Sequence, residues 1–229
     1  MPLLRQNPLC SSDDAKPGEK MAKTFRMGEL FSGPGGIACG AKQASSKDGS
    51  LTIEHAWASD FDEDTCATYI ENITHGDSSN VFCKDVRELD ISKLGNIDCF
   101  AYGFPCNSFS NVGEHQGFEN EKFGMLYWYG IEVLRIYQPK WFMAENVSGL
   151  KSAGAGNHFK QILRDMAGAG YALTPHMYKF EQYGVPQTRH RIIIIGIRKD
   201  LDAREIKFHV PSPEPYASID ISAGKALSG

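Results

Sequence analysis

The chain has 229 residues, a formal net charge of −4, and 41% hydrophobic, 11% aromatic and 23% charged residues. That length and composition support one sizeable α/β domain with a packed core. They exclude a membrane-spanning chain, since no apolar run approaches a span, and the charge is not the basic excess of a free-standing nucleic-acid binder.

Residues 1–22 are rich in Ser, Asp, Lys and Pro without periodicity and read as a mobile tail. They lack the apolar stretch of a secretory signal. Strand and helix patterns alternate after it. Strands are predicted over Phe25–Phe31 and Leu51–Ser59, with helices over Ile37–Ala44 and Glu63–Ile73. A short strand over Val81–Cys83 precedes an apolar one from Ile97 to Tyr102. Leu126, Ile131, Leu134 and Ile136 support an amphipathic helix over Met125–Tyr137, and Trp141–Ala144 is the next strand. Lys151–Gly156 reads as a flexible joint before a helix from His158 to Ala167, and strands over Tyr171–Phe180 and Arg191–Arg198 finish the pattern. Such alternation predicts an α/β fold with a doubly wound, mostly parallel sheet. From Lys179 to Lys207 seven basic residues stand against four acids, either a phosphate-facing patch or a solvated face. Six cysteines, without C-x-x-C pairing or metal-ligand spacing, read as free thiols in a reducing cytoplasm with no metal.

Glu29-Leu30-Phe31-Ser32-Gly33-Pro34-Gly35-Gly36 is a strand running into a glycine turn and a helix start. Glycine lets the backbone approach a ligand at φ values that other residues avoid. Asp60-Phe61 ends the second strand and Asp85-Val86 follows the third. An acid at the second strand end accepts from ribose hydroxyls, a ring beside it lies on adenine, and a third-strand acid accepts from the adenine amine. That set suits any adenosine cofactor. Gly33, Gly35 and Ala38 also satisfy the G-x-G-x-x-G/A pattern of nicotinamide enzymes, so NAD and S-adenosylmethionine (AdoMet) both stand at this point. A tight turn without ligand is the plainer alternative.

Pro105 stops the apolar strand and Cys106 follows it, at the sheet rim where ligand crevices open. A thiolate there can add to an electron-poor carbon, whereas a buried structural cysteine is the bland reading. Glu145 and Arg189 could form a structural pair, and Arg191 an edge charge. The polar, glycine-punctuated stretch from Asn107 to Phe118 is too long for a simple connection and is expected to close over a substrate.

The ordered set Phe31-Ser32-Gly33-Pro34-Gly35-Gly36, Asp60-Phe61, Asp85-Val86, Gly103-Phe104-Pro105-Cys106, Glu145-Asn146-Val147 and Gln187-Thr188-Arg189-His190-Arg191 resembles the DNA cytosine-5 methyltransferase family, from about Arg26 to Pro215. The resemblance implies the AdoMet-dependent methyltransferase (Rossmann-like) fold with an antiparallel strand near the end. It implies an AdoMet site in which Phe31 and Phe61 pack on adenine, and Gly33, Gly35 and Gly36 line the methionine part. Asp60 would meet the ribose, Asp85 and Val86 the base, and Gly103 and Leu126 would complete the pocket. Cys106 is implied as nucleophile, Glu145 as the partner of the cytosine N3 and N4 edge, and Arg191 as donor toward O2. Arg189 would hold Glu145 or the cysteine region, and Asn146 would fix the Pro-Cys turn.

Asn107 departs from the Gln that the family usually places there. The resemblance also implies a target-recognition region and a final helix beside the glycine turn, which this sequence does not contain. The expected organisation is a tail over 1–22, a catalytic domain over 23–215 and an extension over 216–229. Duplex DNA and a second polypeptide supplying recognition and that helix are the expected partners, in a prokaryotic cytoplasm or at its nucleoid. The chain is expected to be either the catalytic subunit of a two-chain enzyme or a truncated enzyme, binding DNA weakly and methylating little by itself. A transfer-RNA cytosine methyltransferase and a non-catalytic AdoMet-binding module are the alternatives.

Overall fold

The computed structural model describes residues 23–44, 49–105, 126–152, 156–202 and 205–227. The predicted tail and the stretch 106–125, with Cys106 and the expected closing loop, lie outside the described residues.

Strand β1 (Lys23–Leu30) leads through α1 (Gly36–Gln43) to β2 (Leu51–Asp60), and α2 (Glu63–Asn72) leads on to β3 (Val81–Cys83). β4 (Cys99–Tyr102), α3 (Tyr127–Tyr137) and β5 (Trp141–Val147) follow, then α4 (Asn157–Gly168), β6 (Tyr171–Lys179) and β7 (His190–Arg198). The seven strands form one sheet in the order β3-β2-β1-β4-β5-β7-β6. Pairs from β3 to β5 are parallel, and β7 alone runs against its neighbours, with Glu145 opposite Ile193 and Lys179 opposite His190.

The sheet is apolar on both faces because helices flank it, which is why β4 is buried at all four positions. On one face Leu30, Trp57, Phe100, Tyr102 and Phe142 pack with Ile131 and Leu134 of α3 and Ile162 and Met166 of α4. Each such side chain, fully removed from water, contributes about 1.5–3 kcal/mol. Gly130 on α3 makes the fit possible, since a Cβ there would lie 2.3 Å from Cε2 of Tyr102. On the other face Met27, Ala58, Cys99 and Ala101 meet Ala38 of α1 and Tyr69 and Ile73 around α2. Further along that face Trp141, Met143 and Ile193 are only half-buried and line an open apolar groove of about 750 Å³.

Several predicted boundaries move. β1 ends one residue early because Phe31 turns left-handed, at φ 55°. β4 begins at Cys99; just before it the Asp98 carboxylate accepts from Lys140 Nζ and the Arg26 N–H. β5 runs three residues past Ala144, since β7 pairs with it as far as Val147. Glu145 therefore lies within a strand instead of at its end. In α3, Ile136 is exposed and Val133 buried. At 100° per residue Ile136 stands about 140° round the helix from Ile131. The short turns Val86–Glu88 and Ile91–Lys93, capped by Asp85 and Asp90, carry no periodic signal and were not expected. The rings of Tyr216 and Tyr183 lie 6.0 Å apart, so the chain beyond 215 remains in contact with the domain.

Candidate active site

The carboxyl ends of β1, β2 and β3 meet at one rim. After Leu30, Phe31 and Gly33 take positive φ and Gly35 does so at 95°, folding the backbone tightly into the start of α1. Asp60 at the end of β2 braces this turn. Its Oδ2 accepts from Gly33 N–H at 2.9 Å, and its Oδ1 accepts from Phe61 and Asp62 N–H at 2.9 and 3.2 Å. A carboxylate offers about four acceptor positions, so about one remains for a ribose hydroxyl. Behind the turn, α2 is so close that a Cβ on Gly35 would sit 2.6 Å from Cγ1 of Ile73.

These ends enclose a pocket of about 200 Å³. Phe31, Asp60, Phe61, Asp85, Val86 and Leu126, all named from the sequence, line it. Ser59, Lys84, Arg87 and Pro105 line it too and were not singled out. Phe61 is 73% exposed, a ring open on one side to a flat ligand. The Arg87 guanidinium holds the Asp85 carboxyl below the usual carboxylate range. Two rings and two carboxylates around a cleft form a donor set that fits adenosine. Gly33 and Gly35 shape the turn without lining the pocket, while Gly36 and Gly103 open onto the neighbouring groove, which Phe31 also reaches.

The second group of residues comes together where β5 meets the start of β7. Because β7 is reversed, its first residues reach the same rim as the last residues of β5. Arg191 Nε lies 2.7 Å from Glu145 Oε1, and Arg189 Nη2 lies 3.9 Å from that oxygen. Arg191 is therefore the closer partner of Glu145, a position that the sequence reading gave to Arg189 alone. Arg189 is the more exposed of the two and reaches into the groove. Gly103 lies beside Glu145, where a Cβ would come into van der Waals contact with Oε2 at 3.4 Å.

Asn146 is buried and donates from Nδ2 to Phe104 O at 2.7 Å, while its Oδ1 accepts from Val147 N–H. It fixes the backbone just before Pro105. His190, between the two arginines, contacts Glu181 at 2.7 Å and ties the turn Phe180–Tyr183 to β7. Of the basic cluster from Lys179 to Lys207, Arg198 and Lys199 are occupied at the opposite edge of the sheet, on Asp200 and on carbonyl oxygens of Gln138 and Ala167.

The chain matches C-5 cytosine-specific DNA methylases over residues 25–226. It belongs to that family.

Among curated relatives of this methylase chain, the Type II methyltransferase M.BbvI of Brevibacillus brevis is 54% identical over 200 residues, covering 82% of this chain and 52% of that protein. The Type II methyltransferase M.NgoFVII of Neisseria gonorrhoeae is 33% identical over 211 residues, covering 87% and 51%. A crystal structure of a DNA modification methyltransferase encoded within an Escherichia coli prophage superposes with a TM-score of 0.62 at 24% identity, covering 86% and 52%. The seven-stranded α/β sheet is thus the Rossmann-like methyltransferase fold. The chain spans about half the length of the curated relatives it matches. No helix among the described residues is long and apolar enough to cross a membrane, and no metal-binding cluster occurs among them.

Proposed function

We propose that this chain transfers the methyl group of AdoMet to C5 of a cytosine in duplex DNA, with Cys106 as covalent nucleophile. The observation that carries this reading is the Glu145–Arg191 pair at 2.7 Å, set at the rim beside the Asn146-held backbone that leads into Pro105 and Cys106. Phe31 lines both the adenosine-shaped pocket and the groove that Glu145 and Arg189 reach, so donor and acceptor would be neighbours.

Phe31, Phe61, Asp60, Asp85, Val86 and Leu126 hold AdoMet, with Gly33, Gly35, Gly36 and Gly103 leaving it backbone space. Bound there, AdoMet supplies an electrophilic methyl group. The Cys106 thiolate adds to C6 of the cytosine, forming the S–C6 bond and moving the C5=C6 electron pair onto C5, which becomes nucleophilic. Charge grows on N3 and O2 as it does so. Glu145 hydrogen-bonds the N3 and N4 edge, and Arg191 holds that carboxyl while its guanidinium faces O2. After C5 takes the methyl group, a base removes the C5 proton, the C5–H electron pair re-forms the C5=C6 double bond, and the S–C6 pair leaves with sulfur as the thiolate. The base must leave the duplex for this, at a cost of a few kcal/mol.

In this reading residues 23–215 form the catalytic domain and residues from 216 lead toward target recognition. A second polypeptide supplies recognition and covers the groove over Trp141, Met143 and Ile193. What supports it is the apolar groove that the described residues leave open. Bacterial relatives named as Type II methyltransferases support a cytoplasmic role within restriction-modification.

The test is methyl transfer from radiolabelled AdoMet to duplex DNA, by the chain alone and with a polypeptide carrying the remaining half of the relatives' length. Trapping on DNA containing 5-fluorocytosine should give a covalent complex that Cys106→Ser does not form. Methylation by Cys106→Ser at the unsubstituted rate would overturn the proposal.

A further inference from the structure

Arg87 belongs to none of the motifs that carry the family resemblance, yet it lines the adenosine-shaped pocket. Its contact with Asp85 is a two-pronged fork. Nε donates to Oδ1 at 2.9 Å and Nη2 donates to Oδ2, while the Arg87 backbone N–H adds a further bond to Oδ1 at 2.9 Å. The Arg87 side chain is 57% exposed and that of Asp85 33%. An ion pair so open to water adds little to folding stability. Its value lies in geometry.

A carboxylate has about four acceptor positions, two on each oxygen. Arg87 takes both on Oδ1 and one on Oδ2, leaving a single position on Oδ2. We infer that Arg87 is a positioning residue for cofactor recognition: it locks the Asp85 carboxylate so that one acceptor faces the exocyclic amine of an adenine ring. This rests on the AdoMet reading above and adds to it a residue that reads the base through Asp85.

The chemistry is selective. An adenine amine donates one hydrogen to the remaining acceptor. A 6-oxo purine presents its own oxygen there, acceptor against acceptor. A carboxylate free to rotate discriminates less, because it can turn away from the mismatch and must be ordered to make the match. Lysine in place of Arg87 keeps the charge but cannot make the planar fork.

The experiment is calorimetric titration of the full chain with S-adenosylhomocysteine and with S-inosylhomocysteine, comparing Arg87→Met, Arg87→Lys and Asp85→Ala. Arg87→Met should weaken the adenosyl compound by about tenfold, the scale of one charge-assisted hydrogen bond. It should not weaken the inosyl compound, whose mismatch the freed carboxylate can turn away from, and should leave the melting temperature unchanged. Arg87→Lys should fall between the two. Equal weakening of both compounds by Arg87→Met, or no change in either, overturns the positioning role. Failure of the unsubstituted chain to bind, or unchanged adenosyl binding in Asp85→Ala, instead overturns the AdoMet reading beneath it.

Discussion

Glu29 is the residue whose chemistry is least expected from its neighbours. It sits next to the last residue of β1, 1% exposed, where burial pushes its carboxyl up to about 7 although the Tyr69 hydroxyl donates to Oε2 at 2.5 Å. His55 Nδ1 lies 3.1 Å from the same hydroxyl, and burial holds that imidazole below its ordinary value. In the unfolded chain Glu29 should titrate near its ordinary 4.5. The folded state therefore keeps a proton that the unfolded state has lost between about 4.5 and 7. Linkage then makes its contribution to stability complete below about 4.5 and progressively lost as pH rises through about 7. Glu29→Gln mimics the protonated form. Thermal melts should show it close to the unsubstituted chain at pH 4.5 and more stable, by about 3 kcal/mol, at pH 8. Parallel pH curves for the two proteins would refute this.

At the level of elements, the cofactor turn depends on how α2 seats beneath it. Gly35→Ala would force a side chain onto φ 95° and into Ile73 and Tyr69. Strain and overpacking together should cost about 1–3 kcal/mol, and binding of S-adenosylhomocysteine should weaken as the turn shifts, measurable by melting and titration. Much of this architecture was legible in the sequence. Alternating apolar runs marked all seven strands and the four long helices, and Gly-Pro-Gly-Gly marked the turn between Phe31 and α1. Less legible was anything decided by a partner distant in sequence. The extension of β5 to Val147 depends on pairing with β7, so Glu145 could not be placed within a strand from its local pattern. Arg87 carried only a faint signal, a base two residues after an acid at a turn, and its fork shows only when the turn is built. Which arginine is nearer Glu145 is set by the register of β7. That Asp60 spends most of its acceptors on backbone N–H groups was likewise not readable, since a ribose contact and a turn brace call for the same residue type.

At the scale of the whole fold, the two faces of the sheet are unequally finished among the described residues. One is sealed by α3 and α4, while the other leaves Trp141, Met143 and Ile193 half-buried in the groove. Apolar hollows of this size recruit apolar partners. The dye 8-anilinonaphthalene-1-sulfonate should therefore brighten on the folded chain with its near-ultraviolet circular dichroism intact. Met143→Thr with Ile193→Thr should dim that signal, and unchanged brightness would locate the dye elsewhere. The reversal of β7 has a practical corollary. Its Arg191 end meets the rim that carries Glu145, while its Arg198 end, with Lys199 tied to Ala167, lies at the opposite ends of the strands. A fluorescent tag carried at the exposed Asp200 would ride at that remote end, giving a handle for single-molecule work far from Glu145 and Arg191.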